Sequence, residues 1–288
     1  MRKNSGSIFS IVMLLTTLAC ILPATQSASA PPPTPDTRLE IMIAETVSAA
    51  LTQTQQAPPA IVIEGTTEEA IPPTPMPTNT EVAAVATPSA ESVLNFNEDD
   101  SRTFIDLLGK YQVTVPSEWL TGRINAPEFD TISLLPQASN PAIQRSLGVI
   151  KTQDPNIFRL FALDANEDHI DGGFVTNVTV LWDRQLETSA LDQEEIKAIA
   201  GRLANSLGDS EVLATEIHAT KSGIPYGLIA TRTSAITQDG ASITVRQNLI
   251  FFDTPVGTLN ITLSTTEKWL DTIEPSFDEI IESFGLLE

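Results

Sequence analysis

Apolar and prolyl residues are segregated along this chain, and that segregation decides which part of it can fold. Pro31-Pro32-Pro33-Thr34-Pro35, Pro72-Pro73-Thr74-Pro75 and Pro77-Thr78 lie in residues 31–98, among Ala, Thr, Glu and Gln and almost no aromatics. Such a stretch favours extended polyproline II backbone and cannot bury enough apolar area to offset the entropy of ordering it. It reads as a tether. Aromatic and β-branched residues return near residue 99, and 99–288 is long enough to hold one core.

Residues 1–30 read as an export signal. Arg2 and Lys3 form a short positive start, Ile8 to Leu22 an apolar run, and small residues follow. The run is too short to cross a bilayer comfortably. Two endings compete. Residues 17–20 end in Leu18-Ala19-Cys20, which looks like the lipobox of bacterial lipoproteins, with Cys20 as the lipidation site. Ala28-Ser29-Ala30 is instead an A-x-A site for release. Thr17 and Leu18 depart from the usual lipobox residues. Cys20 is the single cysteine of the chain, which favours a dedicated role, because a lone thiol in an exported protein invites intermolecular pairing. Lipidation at Cys20 gives a surface anchor, and cleavage after Ala30 gives a released protein.

One island interrupts the tether. In Asp36 to Gln56, residues Leu39, Met42, Ile43, Val47, Ala50 and Leu51 recur at helical spacing, and Asp36 can serve as N-cap. The spacing predicts a short helix over 37–54. It is either a seam for a partner or a transient helix in a disordered stalk, since isolated helices of this length are marginal in water.

In the C-terminal part, Tyr111, Val113 and Val115 alternate before Pro116, and Phe174, Thr176, Val178, Val180 and Trp182 alternate as a half-buried strand requires. Ile243, Val245, Leu249 and Phe251 line one strand, and Leu259, Ile261 and Leu263 line the next. Gln238-Asp239-Gly240 separates the strand around Tyr226–Thr233 from the one starting near Ser242, so three consecutive strands make an antiparallel meander. A helix follows Asp192, with Ile196, Ile199, Ala200, Leu203, Ala204 and Leu207 as its stripe and Gly208 after it. A second is expected from Ser276, with Phe277, Ile280, Ile281 and Phe284 inward. Helices that are apolar on one side only lie across sheet faces. The predicted fold class is therefore α+β: an antiparallel β-sheet with helices packed across its faces.

The order of these elements resembles the PsbP-like fold. The residues that carry the likeness are Tyr111-Gln112-Val113-Thr114-Val115-Pro116-Ser117-Glu118-Trp119, Phe174-Val175-Thr176-Asn177-Val178-Thr179-Val180, and Phe277-Asp278-Glu279-Ile280-Ile281-Glu282-Ser283-Phe284. The resemblance implies a binding or assembly module and transfers no site, because members of that fold use different surfaces. Trp119 and Asn177, within these motifs, read as structural: a ring buried after a strand, and a side chain bonded to neighbouring backbone.

Chemistry is sparsely signposted. The two histidines, His169 and His218, stand in no metal-binding spacing; no G-x-S-x-G elbow, P-loop or dinucleotide fingerprint occurs. A formal charge of −21 repels phosphate backbones, so nucleic acid is a poor partner. The one suggestive cluster is Asp164-Ala165-Asn166-Glu167-Asp168-His169-Ile170-Asp171. Oxygens of Asp164, Asn166, Asp168 and Asp171 mimic the start of a calcium loop, but His169 stands where glycine makes the turn and Val175 where a bidentate Glu belongs. An acidic connection capped by Gly172-Gly173 explains the same letters. Asn177-Val178-Thr179 and Asn260-Ile261-Thr262 match a glycosylation sequon by chance, inside strands. The expected function is an extracytoplasmic, non-catalytic binding or scaffolding module with a protein or cell-envelope partner. The alternatives are a Ca²⁺-linked or small-solute-binding module, or a weakly signposted hydrolase.

Overall fold

The computed structural model describes residues 91–288, apart from 125, 185–191, 207–209 and 238–239. These residues form the α+β architecture that the periodicity predicts. In chain order come β1 (Ser92–Phe96), β2 (Arg102–Asp106), β3 (Tyr111–Val115), β4 (Trp119–Gly122), α1 (Pro127–Ser133), α2 (Pro141–Ile150), β5 (Phe158–Asp164) and β6 (Asn177–Asp183). Then follow α3 (Gln193–Ser206), β7 (Ser210–Ala219), β8 (Pro225–Ile236), β9 (Ser242–Asp253), β10 (Thr258–Thr266), α4 (Leu270–Glu282) and β11 (Gly285–Leu286). A four-stranded sheet has the order β1-β2-β3-β11, and a seven-stranded sheet the order β4-β5-β6-β10-β9-β8-β7. Every strand pair is antiparallel.

The larger sheet is covered on both faces. One face meets α1, α2 and α3 through Phe129, Ile132, Ile143, Leu147, Ile196, Ile199 and Leu203. The other meets the small sheet and α4 through Phe104, Tyr111, Val113, Phe277, Ile280 and Phe284. Aromatic rings join the second core: Phe252 stacks on Phe284 with centroids 3.8 Å apart, and Trp119 leans on Phe277 at 6.1 Å. Each buried ring removes apolar area worth about 1.5–3 kcal/mol from water.

Double cover has a consequence at β10, whose nine residues are all buried. Leu259, Ile261 and Leu263 face the α4 side, and Asn260, Thr262 and Ser264 face the α1–α3 side. The polar row is held by bonds within the sheet: Thr262 Oγ1 donates to Asn260 Oδ1 (2.8 Å), Gln247 Nε2 to Ser264 Oγ (3.1 Å), and Asn260 Nδ2 to the Ile250 carbonyl (3.3 Å). Unpaired, such groups would each cost about 1–3 kcal/mol.

Three strands at sheet edges have a carbonyl taken by a side chain. Arg123 Nη1 donates to Ser92 O at β1 (2.6 Å), Arg102 Nη1 to Trp119 O at β4 (2.6 Å), and Gln193 Nε2 to Thr215 O at β7 (2.9 Å). A register shift between Val212 and Ala214 further breaks the β7 ladder. Edges treated this way resist pairing with another chain.

Three local expectations need correction. The C-terminal helix starts at Leu270, six residues before Ser276, and carries Pro275 inside it. Proline removes the bond that Asp271 O would accept and its ring crowds that carbonyl, together a cost of about 3 kcal/mol, and burial of Ile273, Phe277, Ile280 and Ile281 outweighs it. Helices α1 and α2 were not foreseen; Pro127 and Pro141 open them, and Asn140 Oδ1 caps α2 by accepting from Ala142 N (2.9 Å). The small sheet also begins at Ser92, upstream of residue 99, because Val93 and Leu94 pair with Ile105 and Phe104.

Candidate functional site: the leucine turn and its buried ion pair

Between β2 and β3 the chain runs Asp106-Leu107-Leu108-Gly109-Lys110-Tyr111. The side chain of Asp106 is fully buried and accepts four hydrogen bonds. Its Oδ1 takes Leu108 N and Gly109 N, both at 2.9 Å, and its Oδ2 takes Arg159 Nε at 2.7 Å and Tyr111 Oη at 3.3 Å. Arg159 comes from β5, in the other sheet, with its side chain only 7% exposed. Its guanidinium also lies 5.6 Å from the Trp182 ring centre. The turn is thus bolted to the large sheet by a buried, charge-assisted pair. Burial and the nearby Asp106 carboxylate together push the Tyr111 hydroxyl well above the ordinary tyrosine range.

Two further features fix the backbone. Lys110 adopts φ of 56°, a left-handed conformation that side-chain-bearing residues seldom take. At Gly109 a Cβ atom would stand 2.5 Å from Tyr111 Cε1 and 3.1 Å from Trp182 Nε1, so only glycine fits. Trp182 cannot yield, since its Nε1 donates to the Val256 carbonyl at 2.6 Å.

The result is a rigid turn that holds two leucines out to solvent: Leu107 is 53% and Leu108 40% exposed. At the same end of the sheet Leu286, 44% exposed, is registered opposite Tyr111, and Leu287 N donates to Lys110 O (2.9 Å). On the other flank Leu107 N donates to Glu91 O (3.0 Å), where the chain enters the domain. Entry point, leucines and C-terminal strand therefore share one end of the four-stranded sheet. Ordered backbone costs entropy, and here the four hydrogen bonds to Asp106 offset that cost in the folded chain. Sequence reasoning passed over this site. Its local signal was a pair of leucines in an Asp-x-x-Gly turn, where polar residues are the rule.

The loop singled out for calcium is held by hydrogen bonds among its own residues. Asp164 Oδ1 accepts from Asn166 N (2.9 Å), and Asp164 Oδ2 accepts from His169 Nδ1 (2.6 Å). Asn166 Oδ1 accepts from Asp168 N (3.1 Å), and Asp171 pairs through its backbone with Phe174. The His169 ring packs on Trp269, with centroids 4.8 Å apart. Bonds inside the loop thus engage the oxygens of Asp164 and Asn166. Among the described residues no group of three or more His, Cys, Asp or Glu is placed to hold a metal ion. Trp119 is buried and Asn177 Nδ2 donates to Val175 O (2.9 Å), the structural roles expected of both. Cys20, the 17–20 motif and the 37–54 segment lie outside the described residues. No described helix is long and apolar enough to cross a membrane.

No protein-family model matches the sequence, and no curated protein matches it. Among solved structures, the chain is similar to cyanobacterial PsbP (CyanoP) from Synechocystis, at 13% identity and TM-score 0.42 over 66% of this chain and 94% of that one. LpqN, involved in cell envelope biogenesis of Mycobacterium tuberculosis, matches at 11% identity and TM-score 0.37 over 68% and 91%. The Ran-binding protein Mog1p of Saccharomyces cerevisiae matches at 12% and 0.36 over 66% and 97%. The likeness is one of fold alone, and in fold this chain is similar to the PsbP-like proteins that its motifs resemble.

Proposed function

We propose that this chain is a non-catalytic binding or scaffolding module that works outside the cytoplasm, tethered to the cell surface through a lipid on Cys20, and that it docks a protein partner on the leucine turn. The observation that carries the reading is the pre-formed turn: Leu107 and Leu108 stand in water on a backbone fixed by Asp106 and Arg159. Exposed apolar side chains on a rigid scaffold bind without further ordering cost. The partner's complementary surface is an apolar pocket ringed by basic groups, since this chain carries a formal charge of −21.

The test places a photo-crosslinking amino acid at position 108 of the full chain, in the native host. A discrete protein adduct at 108, missing when the probe sits at Lys197 on the exposed side of α3, is the expected result. Equal labelling at both positions, or none at 108, refutes docking on the turn. The anchor is tested separately: a palmitate analogue should label the wild type and miss Cys20→Ala, and equal label in both refutes lipidation.

A further inference from the structure

At the start of β2 and the end of β3, the opposite ends of those strands from the leucine turn, a cavity of about 300 Å³ opens beside the last turn of α4. Asp99, Ser101, Thr114, Ser117, Glu279 and Ser283 line it. Its walls are joined by hydrogen bonds. Ser283 Oγ accepts from Thr114 N at 2.8 Å, which fixes the end of α4 to β3. Asn97 Nδ2 donates to Ser101 Oγ (2.8 Å) and to Thr103 Oγ1 (2.9 Å), and Thr103 Oγ1 meets Thr114 Oγ1 at 2.9 Å, which ties the β1–β2 turn to the same strand.

The direction of these bonds decides what the cavity can hold, because a hydroxyl has one proton to give. Ser101 gives its proton to Asp99 Oδ1 (2.6 Å), and Ser283 gives its proton to the carbonyl of Ile280 (2.7 Å) or of Thr114 (3.1 Å). Both hydroxyls therefore offer a ligand lone pairs and no donor. The carboxylates add to this. Hydrogen bonds from Ser101 hold the Asp99 carboxyl below its ordinary range, so it is charged at neutral pH. Glu279 has no side-chain partner among the described residues. Two negative groups repel a phosphate or carboxylate ligand, and a neutral polyol needs donors as well as acceptors. An ammonium has three donors and no acceptor, and its rotatable N–H groups suit acceptors that come from three separate segments.

The helix end points the same way. The C-terminal turn of a helix favours a cation, yet α4 closes with Asp278, Glu279 and Glu282 and carries no basic residue in its last turn. We infer that this cavity is a binding site for a primary ammonium, supplied by a free amine or by a lysine side chain. The bound group sits among Asp99, Glu279, Ser101 and Ser283 and supplies the positive charge that α4 lacks at its C-terminal end. The site is separate from the leucine turn, so its failure leaves the docking reading as it stands.

Titration of the ¹⁵N-labelled full chain with Nα-acetyl-lysine amide, followed by NMR, tests the site. The amides of Ser101, Thr114 and Ser117 are expected to shift saturably, and Nα-acetyl-norleucine amide, which lacks the charge, should leave them in place. Glu279→Gln should weaken binding about tenfold, since a charge-assisted hydrogen bond is worth at least that much in affinity. Its side chain holds nothing in the fold, so the variant keeps its structure. Glu274→Gln, on α4 but outside the cavity, should bind as the wild type does. Ethylammonium binding as tightly as the lysine analogue assigns the site to free amines, and weaker binding assigns it to a lysine side chain. Shifts that never saturate overturn the inference, as does an equal response to the norleucine analogue. Equal weakening by Glu274→Gln overturns it in favour of a diffuse acidic field, and saturation of the same amides by glucose in place of the amine overturns it in favour of a polyol.

Discussion

Removing the charge partner of Asp106 separates the bolted-turn account from a merely crowded one. In Arg159→Met the carboxylate keeps the turn's two N–H groups but loses its counter-charge inside a site sealed from water, where Asp106 has no exposure and Arg159 almost none. Breaking one side of such a pair costs about 3–5 kcal/mol, because the remaining charge is left buried. At about 2–4 °C per kcal/mol for a domain of this size, the melting temperature should fall by roughly 6–20 °C. Pairing the change with Asp106→Asn should recover most of that loss. The amide oxygen still accepts from Leu108 and Gly109, and the neutral group needs no counter-charge. Scanning calorimetry on wild type, both single variants and the double variant gives the coupling directly. Arg232, whose carboxylate partner Glu211 stands in solvent, is the control, and Arg232→Met should leave the transition where it was. The reasoning is refuted if Arg159→Met behaves like that control, or if the double variant is no more stable than Arg159→Met alone.

Other outcomes follow from the same site. Gly109→Ala should destabilise by about 1–3 kcal/mol, measurable by urea denaturation, because the added methyl meets the pinned Tyr111 and Trp182 rings. Tyr111 titrates higher in the folded than in the unfolded chain, so its contribution is complete below about pH 10, the unfolded value, and is lost as pH rises through the folded value. Stability measured across the alkaline range should therefore fall from about pH 10 upward, and Tyr111→Phe should flatten that decline. Millimolar calcium followed by EDTA should leave the melting temperature unmoved, since Asp164 and Asn166 spend oxygens inside their loop; a reversible rise would show that the loop opens to take the ion.

The pieces legible in the sequence are those whose signal is local. The alternation of Tyr111, Val113 and Val115 locates β3, and the stripe through Ile196, Ile199 and Leu203 locates α3. Period alone misleads at β10. Leu-Asn-Ile-Thr-Leu-Ser reads as one wet face and one dry face, yet both are buried, because the strand sits in the middle of a sheet covered on both sides. The polar row found partners on neighbouring strands, which a single strand's letters cannot display. Helices α1 and α2 escaped because they are short and their prolines read as breakers, although proline suits a helix's first position. The leucine turn was hidden for a different reason. Its anchor, Arg159, lies 53 residues from Asp106, so nothing near the turn announces that its carboxylate is buried.

That separation bears on why a charge stands inside this core at all. A well-packed apolar pair would hold two sheets together as firmly as a buried ion pair, so stability by itself does not account for Asp106 and Arg159. An apolar pair could not, however, accept two backbone N–H groups and set the course of the turn. Asp106 does both with one carboxylate: Oδ1 shapes Leu107–Lys110, and Oδ2 ties that shape to β5 through Arg159. The charge thus acts on conformation, and the conformation it selects is the one that puts Leu107 and Leu108 in water at the point where the chain enters the domain. The docking proposed above depends on that conformation, because without the Asp106–Arg159 pair nothing would fix where the two leucines stand.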